Sequence, residues 1–175
     1  MGWSLDYLPI REPELLEQFF SAVGKALYLA TDFEAKCCYV LRMAKLAHHW
    51  EETGDASATM ALAKVLKDKM LCATINELKG FSEIKVADID LLEKAKDARN
   101  YIAHECAVVG LAVPAKFIHE QIERLRTQVV VLAGGDNVVS RWVYEIEEKE
   151  PAPRDIQRTY VQRVEEWVFG QLDRI

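Results

Sequence analysis

Three side chains that could act together on a phosphate group lie close to one another in the second half of the chain. They are Arg99, Asn100 and His104. Histidine can take up or release a proton near neutral pH, because its unperturbed pKa is about 6.5. The guanidinium of arginine is always charged and can bind two phosphate oxygens at once. A base, an amide and a fixed cation are therefore available for the cleavage of RNA, whose own 2′-hydroxyl is the nucleophile.

The segment that carries these residues, 91–110, has the pattern of an amphipathic helix. We expect this helix to be capped by Asp88 or Asp90 and to end at Gly110. The amide and the imidazole are four residues apart, so their Cβ atoms should lie about 5–6 Å apart on one face. The apolar residues recur at spacings of three and four and are Leu91, Leu92, Ala95, Ala98, Ile102, Ala103 and Cys106.

This motif resembles the signature of the HEPN superfamily, which is an Arg, a polar residue, three variable residues and a His, late in a four-helix bundle. It reads here Arg99-Asn100-Tyr101-Ile102-Ala103-His104. Active members of that family are metal-independent endoribonucleases, often toxins of toxin–antitoxin or abortive-infection systems, and they work as dimers. The resemblance implies an RNA substrate, an antitoxin protein as partner, and neither metal nor cofactor.

The chemistry also gives a separate reason to expect a homodimer. RNA cleavage needs a base for the 2′-hydroxyl proton, a cation at the phosphate and a proton donor for the leaving 5′-oxygen. One motif supplies a single base, His104, and a single cation, Arg99, so one proton transfer has no group to perform it. A two-fold dimer would supply the second copy. Asn100 could orient His104 or bind the substrate.

A non-catalytic role is the alternative interpretation of the same residues. Arg99, Asn100 and His104 could form a satisfied polar network beneath a neighbouring helix, with Asp97 or Glu93 paired to the arginine. Many proteins of the HEPN superfamily keep the fold and act as modules that bind nucleotide, RNA or a partner protein. Since fold alone does not confer function, both interpretations are carried forward.

Composition predicts a single cytoplasmic domain. The chain has 175 residues, half of them apolar, and a net charge of −6. This charge argues against a protein that coats nucleic acid but leaves room for a small local basic site. No segment has the length of a membrane span and no signal peptide is visible. The cysteines lie in predicted helices, which favours reduced thiols; they are Cys37, Cys38, Cys72 and Cys106.

The predicted fold is all-α, an up-and-down four-helix bundle of HEPN type with additional C-terminal helices. Residues 1–175 would form one domain, with a core at about 12–133 and appended helices at about 136–175. Two chain breaks are expected, one at the capping-box pattern 31–34 and one at the Gly-Gly-Asp-Asn sequence 134–137. The predicted helices are about 13–30, 32–53, 55–78, 91–110, 115–132, 138–148 and 155–173.

Other candidate sites are weaker. His48 and His49 are adjacent and point about 100° apart on a helix, so they cannot share a metal. His119 and Glu123 have a two-ligand spacing, but two ligands do not make a site. A further set of cations would form a solvated face, or a strip that guides phosphates if it lay beside the motif; it comprises Arg42, Lys45, Lys64, Lys67 and Lys69.

Overall fold

The computed structural model describes residues 12–82, 84–107, 114–170 and 172. Within these ranges the chain forms six α-helices and no β-strand. The all-α prediction is therefore confirmed for the described part of the chain. Gly110 and residue 173, where two of the predicted helices end, lie outside it. The helices are α1 Pro13–Thr53, α2 Ala56–Val65, α3 Leu71–Leu78, α4 Val86–His104, α5 Ala115–Glu148 and α6 Arg154–Phe169.

The predicted break at residues 31–34 is wrong, because α1 runs through it as one helix of 41 residues. The side chains of the supposed capping box are engaged elsewhere. The Thr31 hydroxyl donates to the carbonyl of Leu27 one turn earlier (2.9 Å), and Asp32 pairs with Lys36 (2.6 Å). Phe33 is completely buried, so the apolar stripe continues in register across the segment.

The predicted break at residues 134–137 is also wrong, since α5 continues through both glycines for 34 residues. Gly135 lies where α4 and α5 approach each other. A Cβ atom there would lie 2.3 Å from the Ala95 Cβ and 3.1 Å from the Leu91 carbonyl oxygen. The helix needs this glycine for close packing rather than for a turn. The predicted start of the appended helices at about 136 therefore falls inside α5.

The predicted helix 55–78 is two helices, α2 and α3, separated by residues 66–70. Its start is as expected. Gly54 closes α1 with a positive φ of 62°, and the Asp55 carboxylate accepts the amide of Ser57 (2.8 Å) at the start of α2. The separating segment is held to α1 by Arg42, whose guanidinium donates to the carbonyl of Leu66 (3.2 Å).

α4 and α6 both pack along α5. Near the C-terminal end of α4, the Tyr101 ring lies 5.7 Å from the guanidinium of Arg124, which is in the first half of α5. Near the N-terminal end of α4, Asp88 forms an ion pair of 2.6 Å with Arg141, which is in the second half of α5. α4 and α5 are therefore antiparallel. α6 returns along α5, with Arg126 bonded to Glu165 (2.9 Å). The end of α4 that carries the motif is consequently held between α1 and α5.

Candidate active site

The motif lies at the last turn of α4. This helix begins at Val86, earlier than predicted, and neither Asp88 nor Asp90 caps it, because the N-cap position is Lys85. Its last helical residue is His104. Ala98 and Ile102 of the last turns are buried, which fixes the orientation of this end of the helix. The remaining side of the turn, where the motif lies, is turned outward.

Arg99 is the least exposed of the three motif residues, with 24% of its side chain accessible. One arm of its guanidinium is hydrogen-bonded to the carboxylate of Glu34 on α1, and the other donates to the Asn100 side-chain oxygen (3.2 Å). The predicted partners Asp97 and Glu93 are instead paired with Lys96 (3.6 and 2.5 Å). The cation of the motif is thus positioned by a carboxylate from another helix.

Asn100 and His104 are both exposed on the same side of α4. The oxygen of Asn100 accepts from Arg99, so in this structure its contact is with the cation rather than with the imidazole. No hydrogen bond or ion pair joins the His104 ring to another described residue, whereas Arg99 has two such contacts. The imidazole is therefore available to a ligand that approaches from solvent.

The residues after His104 anchor the end of the helix. The amides of Glu105 and Cys106 both donate to the carbonyl of Tyr101 (2.8 and 3.1 Å). Cys106 is buried, and its thiol donates to the carbonyl of Ile102 (2.9 Å). Burial raises the pKa of this thiol, so it stays protonated at neutral pH. The buried side chain of Cys106 thus fixes the end of the helix and leaves the imidazole of His104 at the surface.

Tyr101 packs against the core and is not part of the exposed patch. The guanidinium of Arg124 lies over its ring. Burial raises the pKa of the phenol, which therefore remains neutral. The exposed patch accordingly consists of Asn100 and His104, with Arg99 at its inner edge.

A second polar cluster lies on the other side of α1 and was missed from the sequence. Its centre is Asp136, which is completely buried within α5. Both carboxylate oxygens accept from the Lys36 ammonium (3.1 Å each), and one also accepts from the Tyr160 hydroxyl of α6. Ser140 donates to the same oxygen (3.4 Å), so α1, α5 and α6 meet at one carboxylate.

The buried cluster has perturbed ionisation. Burial raises the pKa of Asp136, although the Lys36 ammonium and the Tyr160 hydroxyl oppose this effect. Burial and the neighbouring carboxylate raise the pKa of Tyr160 well above that of an ordinary phenol. Desolvation lowers the pKa of Lys36, but Asp136 and Asp32 together outweigh it, so the ammonium stays charged.

The sequence contained a signal for this cluster that the glycine pair obscured. Asp136 lies three and four residues from Leu132, Ala133 and Val139, which are all completely buried. If the 3.6-residue period had been followed through 134–135, it would have placed an acidic residue in the middle of an apolar stripe. Such a residue is expected to have a buried partner.

The remaining histidines do not form a shared site. His48 lies 3.3 Å from Glu52, while His49 is bonded to Thr59 (3.0 Å). His119 and Glu123 are both exposed on α5. Across the described residues, no group of three or more His, Cys, Asp or Glu side chains is arranged to hold a metal ion. All four cysteines are unpaired, in agreement with the predicted free thiols.

No family model matches this chain, and comparison with curated proteins and with solved structures also gives no match. Among the described helices, none combines the length and the apolarity that crossing a membrane requires.

Proposed function

We propose that this protein is a metal-independent endoribonuclease of HEPN type. His104 is the general base, Arg99 holds the phosphate, and Asn100 orients Arg99 through their hydrogen bond. The single observation that carries this proposal is the exposure of His104 beside Asn100, with Arg99 at the edge of the same patch. A catalytic base needs access to its substrate, and a cation that binds phosphate needs to be within reach of the same group.

The reaction requires no external nucleophile. The imidazole of His104 takes the proton from the 2′-hydroxyl, the 2′-oxygen attacks the adjacent phosphorus, and the bond from phosphorus to the 5′-oxygen breaks. The guanidinium of Arg99 offsets the negative charge that builds up on the phosphorane. The leaving 5′-oxygen takes up a proton from the protonated His104 imidazole of a second copy of the chain. The products are a 2′,3′-cyclic phosphate and a 5′-hydroxyl.

We further propose that the active form is a homodimer. A single motif has one histidine, so it cannot act as base and as acid toward two different oxygens in the same step. A two-fold axis beside the exposed patch would place a second imidazole and a second guanidinium at the same phosphate. An RNase of this kind would act in defence or stress and would be restrained by an antitoxin protein.

One observation favours a second candidate function. The guanidinium of Arg99 is already neutralised by Glu34, so a phosphate would have to displace that carboxylate. An arginine held in this way suits a non-catalytic HEPN-like module that binds nucleotide, RNA or a partner protein without cleaving it. The two candidates differ in whether His104 transfers a proton.

The deciding experiment is RNA cleavage in the presence of EDTA. The wild type should cleave single-stranded RNA and leave cyclic phosphate ends, while His104→Ala should lose at least about 100-fold in rate. The matched control is His48→Ala, because His48 is also exposed but lies far along α1 from the motif. If the wild type and His104→Ala are equally inert on several RNAs, the catalytic proposal is wrong and the binding module remains.

A further inference from the structure

A groove on the surface of α1 begins at the partner of Arg99. It has a volume of about 390 Å³ and lies between α1 and the segment that separates α2 from α3. Glu34, which holds the motif arginine, is one of its lining residues, and the opposite wall includes Lys69. The groove therefore extends away from the candidate active site along the helix.

The groove is lined by charges of both signs, with Arg42 and Lys69 as its cations and Glu34 and Asp68 as its carboxylates. Glu34, Arg42 and Lys45 are separated by eight and three residues, so they lie on one side of α1 and span about 16 Å. Arg42 reaches across to Asp68 (3.2 Å) and Lys69 reaches to Glu77. These cations belong to the set in the sequence that could guide phosphates.

The carboxylate of Glu77 lies in the adjoining pocket, which Lys45 also lines, and it shows how the lysines beside the groove hold an anion. Lys45 is hydrogen-bonded to one of its oxygens and Lys69 to the other. These two hydrogen bonds lower the pKa of Glu77, so it is a carboxylate at neutral pH. Two ammonium groups that converge on one anion also make a geometry that suits a phosphate.

The ion pairs in the groove can exchange partners. Arg42 and Asp68 have 41% and 72% of their side chains exposed, and exposed ion pairs contribute little to stability. Four cations, counting Arg99, face three carboxylates here, on a chain whose net charge is −6. The groove, the adjoining pocket of Lys45 and Glu77, and Arg99 together therefore carry one excess positive charge. Tyr39 also lines it, and cations beside an aromatic ring are typical of sites for single-stranded nucleic acid.

We propose that this groove, together with the adjoining pocket of Lys45 and Glu77, binds the single-stranded RNA that flanks the phosphate at the motif, with Arg42, Lys45 and Lys69 contacting its phosphates. The proposal rests on the proposed function, which makes RNA the substrate. It adds a binding site of several nucleotides to the catalytic patch, so that substrate affinity comes from α1 and the segment between α2 and α3, while cleavage occurs at α4.

The test is binding of a fluorescein-labelled 12-nucleotide single-stranded RNA by the full chain carrying His104→Ala, measured by anisotropy at several salt concentrations. Adding Lys45→Gln and Lys69→Gln should weaken binding about 25-fold and make the slope of log affinity against log salt shallower by about 1.4. The matched control is Arg158→Gln with Arg163→Gln, which removes two exposed charges from α6 and should change affinity less than about twofold. Circular dichroism melting verifies that each variant is folded.

A variant with the opposite sign makes the test sharper. Glu77→Gln removes the carboxylate that competes for both lysines, so RNA should bind about fivefold more tightly. If the cluster served folding alone, this change would leave affinity unaltered. The proposed RNA-binding site is contradicted if Glu77→Gln binds RNA unchanged or more weakly. It is also contradicted if the Lys45/Lys69 and the Arg158/Arg163 double variants have equal effects.

The groove and the cleavage activity can fail separately. If no RNA is cut but the lysine variants weaken binding as stated, the nuclease proposal fails and the groove stands. If RNA is cut and the lysine variants bind it as well as the parent does, the groove is overturned and the nuclease stands. Absence of any binding at millimolar protein overturns the groove in either case.

Discussion

The polar clusters around Asp136 and around His104 differ in burial and in hydrogen bonding. The cluster around Asp136 is enclosed by α1, α5 and α6, and its carboxylate accepts four hydrogen bonds. The cluster around His104 lies at the end of one helix and faces solvent, and no described side chain forms a hydrogen bond or ion pair with the imidazole. The hydrogen-bond acceptors of Asp136 are all engaged within the protein, while the imidazole of His104 can still bind another molecule.

This difference shows which polar residues hold the fold and which are available for function. A buried carboxylate must be satisfied within the protein, so its partners are defined by packing. A surface imidazole needs no partner for stability. We therefore expect changes at Asp136 to alter stability and changes at His104 to alter activity.

The largest effect on stability is expected from Asp136→Ala. Removing one member of a buried ion pair costs about 3–5 kcal/mol, and the lower end applies because Lys36 keeps a second carboxylate, Asp32. The free energy of unfolding, measured in urea, should fall by about 3 kcal/mol. A loss below about 1 kcal/mol would mean that Asp136 contributes no more to stability than a surface residue does, which would contradict the proposed difference between the two clusters.

Two adjacent glycines provide a matched pair next to the same cluster. Gly135→Ala inserts a methyl group between α4 and α5, where the Ala95 Cβ lies 2.3 Å away, and should destabilise the protein by about 1–3 kcal/mol. Gly134→Ala meets nothing within 4 Å and should stabilise it by up to about 1 kcal/mol through helix propensity. Both changes are measured by urea unfolding. Opposite signs confirm the helix through this segment, and equal signs contradict it.

The two clusters should also differ in pH dependence. Because burial raises the pKa of Asp136, its contribution to stability is complete below the ordinary carboxyl pKa of about 3.9 and declines as pH rises through the folded-state value. The stability difference between the wild type and Asp136→Asn should therefore shrink as pH rises from 4 to 7. A difference that grows over this range would mean that Lys36 dominates over burial.

The smallest effect on stability is expected at the motif, from Glu34→Gln. The ion pair with Arg99 is partly exposed, with 30% and 24% of the two side chains accessible, so its loss should cost less than about 1 kcal/mol. The variant removes the charge that competes with phosphate, and RNA cleavage should rise a few-fold. Slower cleavage would mean that Glu34 orients Arg99 rather than restrains it.

The sequence predicted the helical class and the position of the motif on one helix, because apolar spacing and the fixed order of Arg99, Asn100 and His104 are local properties. The boundary between the predicted helices 32–53 and 55–78 was predicted for the same reason, and the structure has it at Gly54 and Asp55. Each depends on a few adjacent residues, and nothing from a distant part of the chain alters it.

What could not be predicted depends on distant partners. Residues 31–34 have a capping pattern, but Glu34 is taken by Arg99, and Asp32 pairs with Lys36. The two glycines at 134–135 indicate a turn, but a contact with Ala95 keeps Gly135 inside α5. In both places a tertiary contact overrides a local preference, as it often does for propensity.

The most direct test of the account compares RNA cleavage by His104→Ala and Asp136→Asn, expressed per mole of folded protein in EDTA. Tyr160→Phe serves in place of the second variant if that variant does not fold. We predict that His104→Ala loses at least about 100-fold in rate and that Asp136→Asn stays within about twofold of the wild type. Full activity in His104→Ala, or a comparable loss in folded Asp136→Asn, would contradict the division of roles between the open and the buried cluster.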